Sequence, residues 1–247
     1  MNTTNIKIEP KRLSENVSLI AFDADDTLWD CIGHFEAVEK AYGQLLATYG
    51  SYEEIASRLF ERERANMPLL GYGSKAFIIS LVENAINISK GKISGDELLK
   101  IIELGKTLLD MPGTPLEGVE VTLKALRKQS SYKMVVFTKG DNLDQENKFH
   151  RSGLAKYFDD CIVVADKTPH EYMHLCRLFD TNIGRLCMVG NSFKSDILPV
   201  LKLGGYAVHI PYEQEWQMEH TEDPGNKTQS FPHYRHIEHF NQLLTLL

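Results

Sequence analysis

The chain has 247 residues, 43% hydrophobic and 25% charged, enough apolar material for one large domain or a domain carrying an inserted one. Its formal charge of -7 argues against broad, sequence-independent nucleic-acid binding, which depends on clustered Lys and Arg to neutralise phosphates. No apolar run approaches the ~18 residues that cross a bilayer, and residues 1–16 lack the apolar stretch of a secretory leader, so a cytoplasmic protein without membrane or nucleic-acid partners is expected.

The first element is the apolar run Val17 to Phe22, rich in residues suited to a buried parallel strand, which ends abruptly on Asp23. Asp25, Asp26, Thr27 and Leu28 follow. In an open α/β sheet, ligands bind in the crevice beyond the carboxyl ends of the strands, so Asp23 and Asp25 are expected at the mouth of a site, where two acidic side chains invite a cation. Asp and Thr are also common at helix starts, and a generic Asp-x-Asp in a loop is mostly a polar cap, but the preceding apolar strand, the spacing of two and the following Thr-Leu favour the functional reading here.

From about Gly33 to Leu109 the apolar residues recur at three- and four-residue steps, as in Phe35, Val38, Tyr42 and Leu45. Breaks near Gly50-Ser51, Met67 to Gly73 and Ser89 to Ser94 divide this stretch into four helices. Ser51 and Ser94 are the expected N-caps, with Glu54 and Glu97 as capping-box partners. Pro112, Gly113 and Pro115 mark a linker out of this helical insert.

Beyond the linker, helices alternate with short apolar strands. The helices are Val119 to Lys128, Asn142 to Arg151, Pro169 to Phe179 and Lys194 to Leu203, and the strands Lys133 to Thr138, Cys161 to Val164, Leu186 to Gly190 and Tyr206 to Ile210. This alternation predicts a parallel sheet covered by helices on both faces. A polar loop is expected over Glu219 to Pro232, then a final helix from His236 to Leu247. The cysteines Cys31, Cys161, Cys176 and Cys187 lack metal-type spacing and read as buried reduced thiols. His170 with His174, and His233, His236 and His239, have helical or near-helical spacing, but no cysteine or carboxylate completes a metal pattern.

Three later strands end in residues suited to holding phosphate. Thr138 offers a hydroxyl, followed by the backbone amides of Lys139 and Gly140. Lys167 stands at a strand-to-helix junction, where its ammonium would neutralise both phosphate and Asp23. The run Gly190-Asn191-Ser192-Phe193-Lys194-Ser195-Asp196 carries an Asp one turn into a helix, a position suited to a divalent ion. Each of these alone is also an ordinary strand end, surface lysine or helix cap.

In order, Asp-x-Asp with Thr-Leu, a strand-end Thr, a strand-end Lys and Gly-x-Ser-x-x-x-Asp together resemble the signature of the haloacid dehalogenase-like superfamily, a set mainly of magnesium-dependent phosphohydrolases. The resemblance covers nearly the entire chain after residue 16. It implies an α/β fold, with a Rossmann-like parallel-sheet core over residues 1–28 and 113–247 and an inserted α-helical cap of the C1 type over 29–112. The Asp-Asp-Thr-Leu-Trp run and the Gly-Asn-Ser-x-x-Ser-Asp ending are similar to a phosphoglycolate phosphatase-like branch.

The resemblance also implies roles. Asp23 would attack phosphorus to form an aspartyl phosphate, and Asp25 would serve as general acid and then base. Thr138 and Lys139 would hold the phosphoryl group, and Lys167 would offset its charge. Mg²⁺ would be held by Asp23, by Asp25 through its backbone oxygen, and by Asp196. Asn191, where many relatives carry an acid, is expected as a neutral oxygen ligand or an orienting neighbour. The second aspartate disfavours dehalogenation, since a halide needs no acid. Hydrolysis of a small phosphorylated metabolite is the expected reaction. A sugar phosphomutase, or a weakly catalytic binding or regulatory protein of the same fold, is the alternative. Within the cap, Leu70 to Lys75 is expected nearest the site, with Tyr72 or Lys75 touching the leaving group, although a plain interhelix turn fits equally. A monomer or weak homodimer is expected.

Overall fold

The computed structural model describes residues 13, 16–129, 132–214, 216–219, 221 and 231–247. Of the segment read as a leaderless N-terminus, residues 1–12, 14 and 15 lie outside these, as does most of the loop expected between Glu219 and Pro232. Among the described residues no helix is long and apolar enough to cross a membrane.

Among the described residues, six parallel strands form one sheet: β1 (Leu19–Phe22), β2 (Lys133–Lys139), β3 (Asp160–Val164), β4 (Leu186–Gly190), β5 (Tyr206–His209) and β6 (Tyr234–His236), in the order β3-β2-β1-β4-β5-β6. β1 is central and buried on both faces. Its alternate residues serve two cores, Ile20 and Phe22 packing with Met134, Val136 and Val189, and Leu19 and Ala21 with Val135, Phe137 and Met188. A strand covered on both sides has no polar face, which explains the unbroken apolar run. In register, Phe22 lies between Val136 and Val189, so Asp23 emerges where the strand order turns outward in both directions, the crevice position for this class of sheet.

The insert consists of α1 (Ile32–Leu45), α2 (Tyr52–Leu70), α3 (Ser74–Ile88) and α4 (Gly95–Lys106), closed by a 3₁₀ turn at Thr107–Asp110. It has its own core, including Val38, Tyr42, Ile55, Leu59, Leu81, Ile101 and Leu108. The buried Asn84 amide donates to Tyr42 Oη at 3.1 Å and to the Ile55 carbonyl at 3.2 Å, and Tyr42 donates to the Leu81 carbonyl at 2.8 Å, so this polar group is partnered. The complete capping box forms at Ser94 with Glu97. At Ser51 the hydroxyl caps Glu54 N–H, while the Glu54 carboxylate turns to Arg58 at 2.8 Å. The chain enters and leaves the insert side by side, with Trp29 bridged to Pro115 and Leu116 N–H donating to the Leu28 carbonyl at 2.9 Å.

The core helices are α5 (Val119–Gln129), α6 (Asn142–Arg151), α7 (Pro169–Leu178), α8 (Leu198–Lys202) and α9 (Leu243–Leu246). Three boundaries differ from the sequence expectation. α2 continues through Pro68 to Leu70, giving up the one helical hydrogen bond that the Pro68 nitrogen cannot donate, and Gly71, at φ +70°, closes the helix on the Met67 carbonyl. The helix expected from Lys194 is a π turn at Phe193–Ile197 followed by the short α8. Pro199 has no N–H for the Ser195 carbonyl, which accepts instead from Tyr172 Oη at 2.8 Å. The expected terminal helix from His236 is replaced at its start by β6, which pairs with β5. Helical spacing then survives only in Phe240, Leu243 and Leu247, which pack on the core.

Candidate active site

Every strand that ends near Asp23 contributes a polar residue. Asp23 follows β1 and is 7% exposed. Thr138 lies near the end of β2 and is 2% exposed, Lys167 follows β3 at 4%, and Asp196 lies beyond β4 at 1%. Lys167 Nζ bridges the two carboxylates, bonding Asp23 Oδ1 and lying 2.6 Å from Asp196 Oδ1. Burial alone would favour the neutral amine. Asp196 and then Asp23 outweigh it and hold the Lys167 ammonium above the ordinary lysine range. Burial, with Asp196 adding to it, pushes Asp23 up to about 7 against the pull of Lys167.

Asp25 is bound differently. Lys148 Nζ lies 2.8 Å from both of its oxygens, Gln145 Nε2 donates at 2.8 Å, and Trp29 Nε1 donates at 2.8 Å. Burial works to raise its pKa, but Lys148 and these donors win and keep it below the usual carboxylate range. Two acids separated by a single residue, Ala24, are thus set in opposite directions, a pattern typical of sites that divide chemical roles. The capping role that the motif also allows is taken by Asp26. Its Oδ1 accepts from Cys31 N–H at 2.8 Å and Ile32 N–H at 2.9 Å, and it sits at φ +61°, a conformation Asp tolerates better than most residues.

Lys139 and the surrounding loops are less open to phosphate than the sequence implied. The Lys139 ammonium is paired with Glu219 Oε1 at 2.5 Å and Ser195 Oγ at 2.9 Å, and Gly140 N–H is taken by the Val164 carbonyl at 3.1 Å. Glu219 also accepts from Ser192 Oγ at 2.6 Å and Ser195 Oγ at 2.5 Å. Although burial opposes it, Lys139 leads these partners in holding its pKa down to about 2. From the cap, Tyr72 reaches the site, its ring 4.1 Å beneath Lys139 Nζ and edge-on to Trp216. Lys75 does not line the cavity. Its ammonium is held at the rim by Asp141, 2.8 Å away at the start of α6.

Lys148, Gln145 and Glu219 are the residues that sequence reading missed. Asp144, Gln145 and Lys148 are buried on one face of α6, where an amphipathic helix would carry apolar side chains; in a helix polar nearly all round, the sequence has no signal that marks them. Glu219 lay in a segment read only as loop. The four cysteines are free and three are buried, and His170 and His174 are exposed on α7.

Among the described residues no three His, Cys, Asp or Glu side chains converge as a metal cluster. Two carboxylates and one amide share neighbours in the site: Thr27 Oγ1 lies 3.2 Å from Asp23 Oδ2 and 3.1 Å from Asn191 Oδ1, and Lys167 Nζ bonds both Asp23 and Asp196. This all-oxygen set, with Asn191 where a third acid would stand, suits a hard ion such as Mg²⁺.

Residues 17–204 match the family model described as haloacid dehalogenase-like hydrolase, and the chain belongs to that family. A haloacid dehalogenase-like family hydrolase from Xanthomonas campestris superposes with a TM-score of 0.76 at 31% identity, over 88% of this chain and 92% of that one. Among curated proteins, N-acylneuraminate-9-phosphatase of Rattus norvegicus is 26% identical over 76% of this chain and 79% of its own length. The glyceraldehyde 3-phosphate phosphatase of Methanothermobacter thermautotrophicus is 26% identical over 83% and 91%.

Proposed function

We propose that the protein is a magnesium-dependent phosphatase of small phosphorylated metabolites, working through an aspartyl phosphate on Asp23. The observation that carries this reading is the Lys167 bridge between Asp23 and Asp196 at the end of the central strand, with Asp25 two residues further on. The phosphatase names of the curated relatives support the reaction class.

In this reading an Asp23 oxygen bonds to phosphorus as the ester oxygen leaves, and Asp25 delivers a proton to that oxygen. Water then attacks the phosphoryl group, giving its proton to Asp25. Phosphate departs and the Asp23 carboxylate is restored. Lys167 balances the negative charge that nucleophile and phosphate bring together, and Thr138 orients the phosphoryl oxygens. Asp23, Asp196 and Asn191 would hold Mg²⁺, which would supply further charge neutralisation at phosphorus. Lys148 holds Asp25 anionic before substrate binds, so ahead of the first step Asp25 must loosen from Lys148 and take a proton from solvent. The proton it gains from water in the second step serves the next turnover or returns to solvent.

The test is phosphate release from a panel of phosphomonoesters, with and without Mg²⁺, for the native protein beside Asp23→Asn and Asp25→Asn. Release that needs the metal and both carboxylates supports the reading. Equal release from the native protein and Asp23→Asn would sink it.

A further inference from the structure

The phosphatase reading leaves open what is attached to the phosphate, and the walls of the cavity bear on that. A cavity of about 630 Å³ lies between the strand ends and the cap. Its core side holds Asp23, Lys167 and Asp196. Its cap side carries Glu36 and Glu39 of α1 and Glu63 of α2, and among the described lining residues the cap supplies no Lys or Arg. The three lysines that do reach the cavity are committed, Lys139 to Glu219, Lys148 to Asp25, and Lys167 to Asp23 and Asp196.

A second observation points to what this wall wants. Asp144 Oδ1 and Gln145 Oε1 belong to residues 3% exposed, line the same cavity, and accept no hydrogen bond. Their other atoms are engaged: Asp144 Oδ2 accepts from Ser74 Oγ at 2.8 Å, and Gln145 Nε2 donates to Asp25 and to the Lys139 carbonyl. That commitment of the amide nitrogen fixes which end of Gln145 is oxygen. Buried acceptors without donors are costly, and a ligand carrying donors relieves them.

Given the phosphatase reading, we infer that the leaving group is a hydrogen-bond donor bearing positive charge, a phosphorylated amino alcohol or amino sugar, and that carboxylate-bearing phosphates are rejected. An ammonium with neighbouring hydroxyls meets acceptors on both the α6 and the cap sides. A carboxylate there meets Glu36, Glu39 and the α6 oxygens, with no uncommitted Lys or Arg among the described lining residues to offset its charge. Burial and then Glu39 push Glu63 up to about 8, so near pH 7 it is largely protonated, and a bound cation would favour its carboxylate form.

The experiment measures kcat/KM with Mg²⁺ for glucosamine 6-phosphate, glucose 6-phosphate and 6-phosphogluconate, beside p-nitrophenyl phosphate as an undemanding donor. The native enzyme should prefer the amino sugar to the acid sugar by about tenfold or more, with the neutral sugar between them. Glu39→Gln/Glu63→Gln, and separately Glu36→Gln at an exposed position, should narrow that ratio. A native enzyme that hydrolyses 6-phosphogluconate as well as glucosamine 6-phosphate overturns the inference while leaving the phosphatase reading intact, as does a ratio unmoved in both variants. Release from none of the four, p-nitrophenyl phosphate included, overturns the phosphatase reading and this inference with it.

Discussion

Lys148 Nζ stands 2.8 Å from each carboxylate oxygen of Asp25 and is itself 2% exposed, tying α6 to the loop that follows the central strand. Replacing it leaves a carboxylate with two neutral donors and no counter-charge. Lys148→Met is expected to lower the unfolding free energy by ~1–3 kcal/mol, read by urea denaturation. The pKa of Asp25 should rise in the variant, so the limb of the pH–rate profile that follows Asp25 should move to higher pH. An unmoved profile would show that Asp25 is not the proton carrier.

Lys167 is held protonated above its ordinary range, so its contribution to stability is present below pH ~10.4 and is lost as pH rises through the folded-state value. Lys167→Met removes the cation between Asp23 and Asp196. Turnover should fall about 10²–10³-fold. The variant should also unfold more easily at pH 8 than at pH 5, since at the lower pH the pair need not carry two charges. Denaturation midpoints that do not change between those pH values would contradict this electrostatic account.

Glu219 has its pKa depressed to about 2, below the ~4.3 of an unfolded chain. Its stabilising effect is therefore present above pH ~4.3 and lost as pH falls through about 2. The difference in stability between native protein and Glu219→Gln should be constant from pH 7 to about 5 and shrink below that. A difference independent of pH would mean that Lys139, Ser192 and Ser195 hold Glu219 by geometry rather than charge.

Gly190 closes β4 against the Asp196 carboxylate. A Cβ there would overlap Asp196 Oδ2 and come within 2.5 Å of its Cγ. Gly190→Ala should cost ~1–3 kcal/mol through overpacking, and it should reduce activity more than the similar substitution Gly95→Ala, where nothing stands within 4 Å. Thermal denaturation and steady-state kinetics on both variants decide it.

Asn191 supplies an amide oxygen where a further acid would strengthen a hard-cation site. Asn191→Asp should lower the Mg²⁺ concentration giving half-maximal activity by roughly tenfold, because ligand charge sets affinity in such sites. A metal dependence identical to the native one would place Asn191 outside the coordination sphere.

What the sequence made legible follows from chain geometry. Asp23, Thr138, Lys167 and Asp196 could be grouped because each follows or closes an apolar run, and strands in one parallel sheet end on one edge. The cap helices were readable from their three- and four-residue apolar steps. β6 was not, since Tyr234, Arg235 and His236 have no apolar alternation and become a strand only by pairing with β5. Lys148 and Gln145 were equally hidden. Their partner Asp25 is more than a hundred positions away, and a buried polar face on a short helix has no meaning until that partner is placed. Lys75 looked as available as Tyr72, and only the Asp141 ion pair separates them.

The side-by-side entry and exit of the insert at Trp29 and Pro115 sets an order on assembly. β1 precedes its neighbours in the chain, and Lys133–Lys139 and Leu186–Gly190 follow only after the whole four-helix unit. The helices, rich in local contacts, can form while the central strand still lacks both partners; closing the sheet then requires joining segments separated by more than a hundred residues. The strand that ends at Asp23 is thus made before both of its neighbours and is enclosed only once they follow. The exposed apolar run Leu19–Phe22 is the stretch most at risk of wrong pairing in the interval.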